Sequence, residues 1–570
     1  MAGFLQTPPA LGDAWRDDRV LREALHFHLG DDAFAAAEPE LAEMGALAVS
    51  PRVLGLARRA ETEPPVHVPY SPWGRRVDEI RLSDAYVELG RIGVEAGVTA
   101  LPYERSPLGE RVRIAWAGLV ALWGPSSALY TCPVAMTDGA ARTLLQHGGP
   151  DDVAVVERLT SRDPGRAWTS GQWMTETAGG SDVGGTETIA RVDERGRWRL
   201  TGTKWFTSST TSEIALTLAR PEGVAPGSRP LALFRVHRTL DDGSANGIVV
   251  RRLKDKLGTR ALPTAELELD GALAHPVGDP RAGGGVRLIA TMLNVTRIHN
   301  AIGSTAYLGR ALAWARAYAR VRRVGGRLLA TMPAHRATLA DLATDYAASM
   351  ALVTRCCELM GAVEHGRADA TDARVLRGLT PVTKLATARW GVAGVTEAME
   401  AIGGVGYCED STIPAIVRNS HVNPIWEGTT NVLALDFLRA AQRDDALAAL
   451  AHDCRDALAR VRDDDAVAAP AALAAAALDE LEARAARWDD DDRAQAGARS
   501  LALGLASTYA CARLCLQGAW AARRGDVRTA AVATRLARRG LVPPEPPPDD
   551  GLGMDEPVSP QGASSARAVG

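Results

Sequence analysis

The stretch MTETAGGSDV, residues 174–183, decides the fold of this chain together with IWEGTTN, residues 425–431. The first is a polar turn broken by two glycines, a shape that can wrap a planar anionic molecule. The second places one acid, Glu427, between an aromatic residue and a glycine, where a proton-abstracting carboxylate would be useful. Each string alone also fits an ordinary surface turn, so the interpretation depends on the segments between them.

Periodicity divides the 570 residues into blocks, since so long a chain exceeds one core. Runs such as YVELGRIGVEAGV show helical spacing, whereas WRLTGTKWF and GIVVRRL are short β-type runs between turns. The end of the chain is rich in Pro, Gly and acid, which predicts disorder. The predicted blocks are an N-terminal segment (1–75), a helical domain (76–167), a β domain (168–280), a helical bundle (281–440), an extra helical domain (441–542) and a disordered tail (543–570).

Bulk properties exclude several classes of protein. The net charge of −4 gives no global attraction to nucleic acid. No apolar run approaches the roughly 20 residues needed to span a bilayer, and the N-terminus lacks a basic-then-apolar leader, so we expect a soluble cytoplasmic protein without a membrane partner. The seven cysteines show no CxxC pairing, which predicts reduced structural thiols and no metal site.

Four further motifs, taken in their order along the chain, indicate a known protein family. Between the two opening strings come KWFTS at 204–208, RLKDKLGTR at 252–260, RRVGGRLL at 322–329 and AIGGVGY at 401–407. This order resembles the acyl-CoA dehydrogenase family of flavoenzymes over residues 70 to 440. The residues within these motifs, together with the C-terminal extension, look most like its AidB-type, DNA-alkylation-response branch.

The resemblance implies an α+β multidomain fold. Its N-terminal helical domain, middle β domain and C-terminal helical bundle would be followed by the extra helical domain of the branch. FAD would lie between the β domain and the helices after it. There is no strand followed by Gly-x-Gly-x-x-Gly, so the sequence gives no support to a Rossmann nicotinamide site.

Glu427 is the predicted catalytic base. The family reaction removes an α-proton and a β-hydride from an acyl-CoA thioester, and the hydride goes to flavin N5. Glu427 aligns with the family's glutamate, and a carboxylate in a water-poor pocket suits this task. Trp426 stands where the family usually has tyrosine. Alone, Glu427 would be interpreted as a hydrogen-bonded acid at a helix start; the surrounding motifs favour the base.

The resemblance also implies the residues that bind FAD. Met174 and Thr175 would approach the pyrimidine side of the ring, Trp205 would cover it, and Thr207 would offer a hydroxyl to N5. Alone, Trp205 and Thr207 fit equally well as ordinary residues of a strand. The predicted FAD-binding residues are Met174, Thr175, Gly180, Ser181, Trp205, Thr207, Arg322, Gly403, Gly404, Thr429 and Asn431.

Arg322 and the AIGGVGY segment are predicted to contact parts of FAD other than the flavin ring of the same subunit. Arg322 would reach the pyrophosphate, since arginine matches phosphate geometry; Gly325 and Pro333 depart from the family's pattern in that segment. The AIGGVGY glycines would touch the FAD of a neighbouring subunit, although Glu400 replaces a common glutamine. A homo-oligomer follows, and the family norm is a dimer of dimers, a homotetramer.

Contacts to the coenzyme A thioester are less well supported. The resemblance assigns substrate binding to Ser181, Arg297 and Gly428. Asn294 replaces an aspartate that family members use for coenzyme A. Arg297 fits equally well as a member of a structural ion pair.

The C-terminal block suggests a second partner. Residues 499–539 contain eight arginines against Asp526 alone, a local charge of 8 − 1 = +7. Such a face can bind the phosphate backbone of double-stranded DNA, and the predicted DNA-binding residues are Arg535, Arg538 and Arg539. Alanine-rich helices also commonly carry arginines on a solvated face.

Three functions therefore stand. The first is an FAD-dependent acyl-CoA dehydrogenase, with an electron-transfer flavoprotein as its acceptor. The second is an AidB-type flavoprotein that binds duplex DNA and has little dehydrogenase turnover. The third is a flavoprotein scaffold with neither activity. Glu427 favours the first, while the branch resemblance and Asn294 favour the second.

Overall fold

The computed structural model describes residues 6–104, 106–488 and 490–545, so most of the predicted disordered tail lies outside the described residues. Helices dominate before and after a central group of strands, as the periodicity predicts. The helices are α1 Arg19–Ala48, α2 Pro51–Thr62, α3 Asp84–Glu95, α4 Val112–Trp123, α5 Thr131–His147, α6 Val153–Leu159, α7 Gly285–Val321, α8 Pro333–Glu364, α9 Ala370–Ile402, α10 Ile413–Ser420, α11 Thr430–Asp444, α12 Ala446–Ala459, α13 Ala468–Ala486, α14 Asp491–Ala522 and α15 Arg528–Arg538.

The strands form two small hairpins and one large sheet. Hairpin β1–β2 spans the predicted boundary at residue 75, and hairpin β10–β11 follows α7. The strands are β1 Val66–Tyr70, β2 Arg76–Arg81, β3 Ser170–Trp173, β4 Ile189–Val192, β5 Trp198–Ser208, β6 Ile214–Pro221, β7 Ala232–His237, β8 Ile248–Leu253, β9 Thr264–Val277, β10 Arg323–Val324 and β11 Arg327–Leu328.

The seven-stranded sheet closes on itself. Pairings run from β4 to β5, β9, β7 and β6 and back to β4, while β3 adds to β6 and β8 adds to β9. Its interior holds a separate apolar core that includes Trp173, Leu200 and Phe234, all almost fully buried. This closed β domain presents the loop after β3 at one end of the sheet.

The remaining core is helical. Side-chain caps begin several helices; for example, the Ser83 hydroxyl accepts from the backbone N–H of Tyr86 at the start of α3. Helices α7, α8 and α9 pack together, and the long α14 lies against α8, α9 and α11. The C-terminal block is therefore docked onto the bundle and is not a separate body.

Helical, β and helical blocks in this order confirm the predicted fold class, with an added C-terminal helical block. The seven cysteines are free, and all but Cys408 are buried. Within the described ranges no helix is long and apolar enough to cross a membrane. The same residues contain no cluster of three or more His, Cys, Asp or Glu side chains arranged for a metal.

Candidate active site

The Glu427 carboxylate lies where three elements meet. The Thr296 hydroxyl on α7 donates to one carboxylate oxygen at 2.7 Å. The Gln172 amide on β3 approaches the other oxygen at 3.4 Å. Glu427 itself precedes α11, so the β domain, the long helix α7 and the loop before α11 converge on this single acid.

The backbone around Glu427 is unusual. Glu427 has φ +58° and Gly428 has φ +97°, and the left-handed conformation costs a non-glycine residue about 1–2 kcal/mol. The Lys384 ammonium on α9 donates to the carbonyls of Trp426 at 2.7 Å and Gly428 at 2.6 Å. Burial lowers the pKa of Lys384 to about 7. A buried lysine thus stabilises the turn that presents the Glu427 carboxylate.

Arg297, a predicted substrate-binding residue, is a member of an ion pair. Its guanidinium donates to Asp436 on α11 at 2.8 Å, and Asp436 also accepts from Arg377 at 2.8 Å. The Arg297 Nε atom lies 3.4 Å from the Glu427 carbonyl oxygen. The structure therefore places Arg297 beside Glu427, in the ion-pair role that the sequence left open.

The MTETAGGSDV and KWF motifs are joined by a buried ion pair. Lys204 on β5 donates to Glu176 at 2.6 Å, and the two side chains are 0% and 2% exposed. The backbone N–H of Trp205 donates to the carbonyl of Thr175 at 2.9 Å. Gly180 lies so close to Thr175 that a Cβ there would be 2.8 Å from its hydroxyl oxygen. These contacts fix the loop after β3 against β5.

Strand β5 presents residues that the sequence interpretation missed. A bulge between Lys204 and Thr207 shifts the register against β9. Thr207 is fully buried and donates its hydroxyl to the Ala265 carbonyl at 2.8 Å, so its proton is already used within the sheet. Phe206, in contrast, is 57% exposed, and Ser208 is half-buried. The Ser208 hydroxyl shares a hydrogen bond with the Thr264 hydroxyl at 3.0 Å in which either can donate, so Phe206 and Ser208 remain better placed than the fully buried Thr207 to face a ligand.

Trp205 is half-buried, and the Lys254 ammonium lies 3.6 Å from its ring centroid. The same ammonium lies 4.7 Å from the Phe206 ring. A cation over both rings fits a cation–π contact. Lys254 thus covers part of both rings, but Trp205 is half-buried while Phe206 is mostly exposed, so the Phe206 ring retains more open surface.

The remaining predicted residues separate into two groups. Thr429 and Asn431 are exposed at the start of α11 and follow Glu427 directly in sequence, while Met174 and Ser181 lie in the loop after β3, the strand whose Gln172 contacts Glu427. Arg322 ends α7, about 39 Å from Thr296 at 1.5 Å per residue. Gly403 and Gly404 follow α9, and a Cβ on either would meet open space. The structure does not bring this second group to Glu427 within one chain.

A cavity of about 510 Å³ lies elsewhere, between α2, α7 and α10. Its wall includes Glu61, Tyr307 and Arg418 and none of the groups that contact the Glu427 carboxylate. The convergence at Glu427, and not cavity volume, identifies the candidate active site.

The C-terminal arginines are mostly paired. Apart from Asp526, the acids come from other elements, so the local count over 499–539 misses them. Arg538 and Arg499 have no ion pair among the described residues. The pairs are Arg513–Glu358, Arg523–Asp464, Arg524–Asp31, Arg528–Asp526, Arg535–Asp341 and Arg539–Asp341 with Asp345. Ion pairing leaves little of the local charge of +7 for a DNA backbone.

Three domain families match the chain. They are the adaptive response protein AidB N-terminal domain over residues 6–163, the acyl-CoA dehydrogenase middle domain over 171–272 and the acyl-CoA dehydrogenase C-terminal domain over 283–442. The chain belongs to the acyl-CoA dehydrogenase family. It is therefore an oxidoreductase, and the cofactor of the family is FAD. Proteins with this fold have been crystallised with FAD or with its reduced form.

Individual relatives agree with this assignment. Acyl-CoA dehydrogenase family member 11 of Caenorhabditis elegans is 44% identical over 77% of this chain and 72% of the relative. The putative acyl-CoA dehydrogenase AidB of Escherichia coli is 35% identical over 71% and 74%. The crystal structure of C. elegans ACDH-11 in complex with C11-CoA has a TM-score of 0.91 and 37% identity, covering 96% of this chain and 94% of that one. The predicted family and AidB-type branch are confirmed.

Proposed function

We propose that this protein oxidises acyl-CoA thioesters at the α,β position, with FAD as hydride acceptor and Glu427 as the base. The observation that supports the proposal is the convergence of β3, α7 and the turn before α11 on one carboxylate. The structural neighbour crystallised with C11-CoA supports an acyl-CoA as the substrate class.

The residues around Glu427 suit proton abstraction. A base must be held at one position, and the Thr296 hydroxyl and the Gln172 amide each contact one carboxylate oxygen. Both contacts are neutral, so neither compensates the charge of the carboxylate as fully as an ion pair would. Glu427 would take the α-proton of the thioester onto a carboxylate oxygen, with Thr296 retaining its hydrogen bond to the other.

The residues present fit FAD. The Phe206 ring is open on β5, and two buried polar atoms near Glu427, Gln172 Oε1 and Trp426 Nε1, have no partner among the described residues. Such atoms require hydrogen-bonding partners. We propose that Phe206 and Ser208, with the Met174–Thr175 backbone, hold the flavin ring. When bound, FAD supplies the hydride acceptor.

A second set of residues would serve a neighbouring subunit. Arg322 lies about 39 Å along α7 from Thr296, so it cannot approach the flavin ring beside Glu427 of its own chain. Gly403 and Gly404 lie next to Val405 and Tyr407, which are 51% and 80% exposed. We propose that this exposed apolar segment and Arg322 complete the FAD site of another copy, in a homo-oligomer.

Anaerobic mixing with a panel of acyl-CoAs tests the proposal. The FAD-loaded protein should lose its yellow flavin absorbance with at least one acyl-CoA, and undecanoyl-CoA is the first to try because of the C11-CoA complex of the neighbour. Protein that cannot be loaded with FAD, or flavin that no acyl-CoA reduces, would contradict the proposed function. No observation favours DNA binding as a second function, and it stays a prediction.

A further inference from the structure

Lys384 is a fully buried lysine in the middle of α9, with 0% of its surface exposed. Among the described residues it forms no ion pair, and its ammonium contacts backbone carbonyls instead. A buried ammonium without a carboxylate partner costs far more than an apolar side chain of the same length. Packing alone therefore does not account for a lysine here.

The two carbonyls that Lys384 contacts belong to the residues on either side of Glu427. They can face the same ammonium because Glu427 and Gly428 both adopt positive φ. The Glu427 side chain is meanwhile directed to Thr296 and Gln172. Lys384 thus supplies two charge-assisted hydrogen bonds to the strained turn that orients the acid.

We propose that Lys384 is a positioning residue for the Glu427 base: its ammonium holds the turn from Trp426 to Gly428 and places a positive charge next to the carboxylate. The inference rests on the proposed function, since it assigns Lys384 a role in the same proton abstraction. Nothing in the sequence around Lys384 signals this role, because TPVTKLATARW has the pattern of an ordinary buried helix.

The charges around the Glu427 turn set the direction of the expected pH dependence. Lys384 on α9 and Arg297 on α7 place positive charges at this turn; Asp436 on α11 offsets Arg297, and the Cys132 thiol on α5 also interacts with Glu427. Burial lowers the pKa of Lys384 to about 7, while Glu427 raises it and Arg297 lowers it. Lys384 loses its proton as the pH rises through about 7. The rate lost in Lys384→Met should therefore be largest below that pH and smaller above it.

The test compares Lys384→Met with Thr387→Val in FAD-loaded protein. Thr387 is buried one turn further along α9 and donates only within its own helix, so it controls for a disturbed core. Flavin reduction by an acyl-CoA is measured anaerobically from pH 6 to 9. For Lys384→Met we expect FAD to be retained, the limiting rate to fall about 100-fold, as for a misplaced group, and the half-saturating concentration to change less than about 3-fold.

Two further results decide between positioning and mere structure. Lys384→Arg should restore part of the rate, because a guanidinium can still donate to both carbonyls. A Lys384→Met rate equal to that of Thr387→Val, or reduced equally at every pH, would overturn the proposal. If wild-type flavin is reduced by no acyl-CoA, the proposed function fails instead. A crystal structure of Lys384→Met then remains decisive: we expect Glu427 to leave Thr296, and an unchanged turn would refute the role of Lys384.

Discussion

Replacing Lys204 by methionine should strongly destabilise the β domain and loosen the loop after β3, residues 174–183. Methionine keeps the buried stem but removes the ammonium that contacts Glu176 at 2.6 Å and the Leu218 carbonyl at 3.0 Å. Glu176 would keep its hydrogen bonds from the Thr188 hydroxyl and the Glu187 backbone. Its charge would nevertheless stay buried without a cation. Breaking such a pair costs about 3–5 kcal/mol.

Urea titration of the FAD-loaded protein, followed by flavin release, measures this loss. With a urea slope of about 3 kcal/mol per M, the midpoint should fall by roughly 1 to 2 M. Arg191→Gln is the matched control, because the Arg191–Glu222 pair lies in the same domain with side chains 58% and 60% exposed. A surface pair of this kind contributes less than about 1 kcal/mol. The Lys204→Met, Glu176→Gln double variant should recover part of the loss. A midpoint for Lys204→Met as high as that of the control would refute the reasoning.

Other predictions concern the flavin, acid stability and DNA. Phe206→Ala should weaken FAD retention in equilibrium dialysis more than Trp205→Ala, because the Phe206 ring is the open one; the reverse order would contradict its placement. Burial, with Arg235 nearby, lowers the pKa of His237 to about 4, so the stability it contributes is complete above about pH 6.5 and is lost as pH falls towards 4. His237→Gln should flatten the fall of melting temperature between pH 7 and 4.5, and an unchanged fall would exclude this histidine. If the protein binds DNA, the log–log slope of affinity against salt concentration should flatten by only about 0.9 when Arg535, Arg538 and Arg539 become alanine, since two of the three are ion-paired. Flattening by nearly three units would show that the pairs open on DNA.

Local patterns predicted the fold well because they depend on periodicity. The run WRLTGTKWF became β5, and most of YVELGRIGVEAGV became α3. The motif around Glu427 also identified the acid on which three elements converge. These features are encoded within about ten residues of the position concerned, so no knowledge of tertiary contacts was needed.

The features that sequence reasoning missed depend on contacts between distant segments. Lys384 lies 43 residues before Glu427, and only the packing of α9 against the turn brings them together. The bulge in β5 decided that Phe206 and not Thr207 faces outward, and a bulge leaves no clear signal in KWFTS. The acids that neutralise the C-terminal arginines come from α1, α8 and the loop before α13. A count of nearby charges could not include them.

The most direct test of the account is anaerobic flavin reduction by an acyl-CoA in Glu427→Gln beside the wild type. Glutamine keeps the size of the side chain and can still bond Thr296, but it cannot accept the α-proton. We expect the variant to retain FAD and its reduction rate to fall by at least about 100-fold, the low end for a general base. Reduction at the wild-type rate by FAD-loaded Glu427→Gln would contradict the assignment of Glu427 as the base.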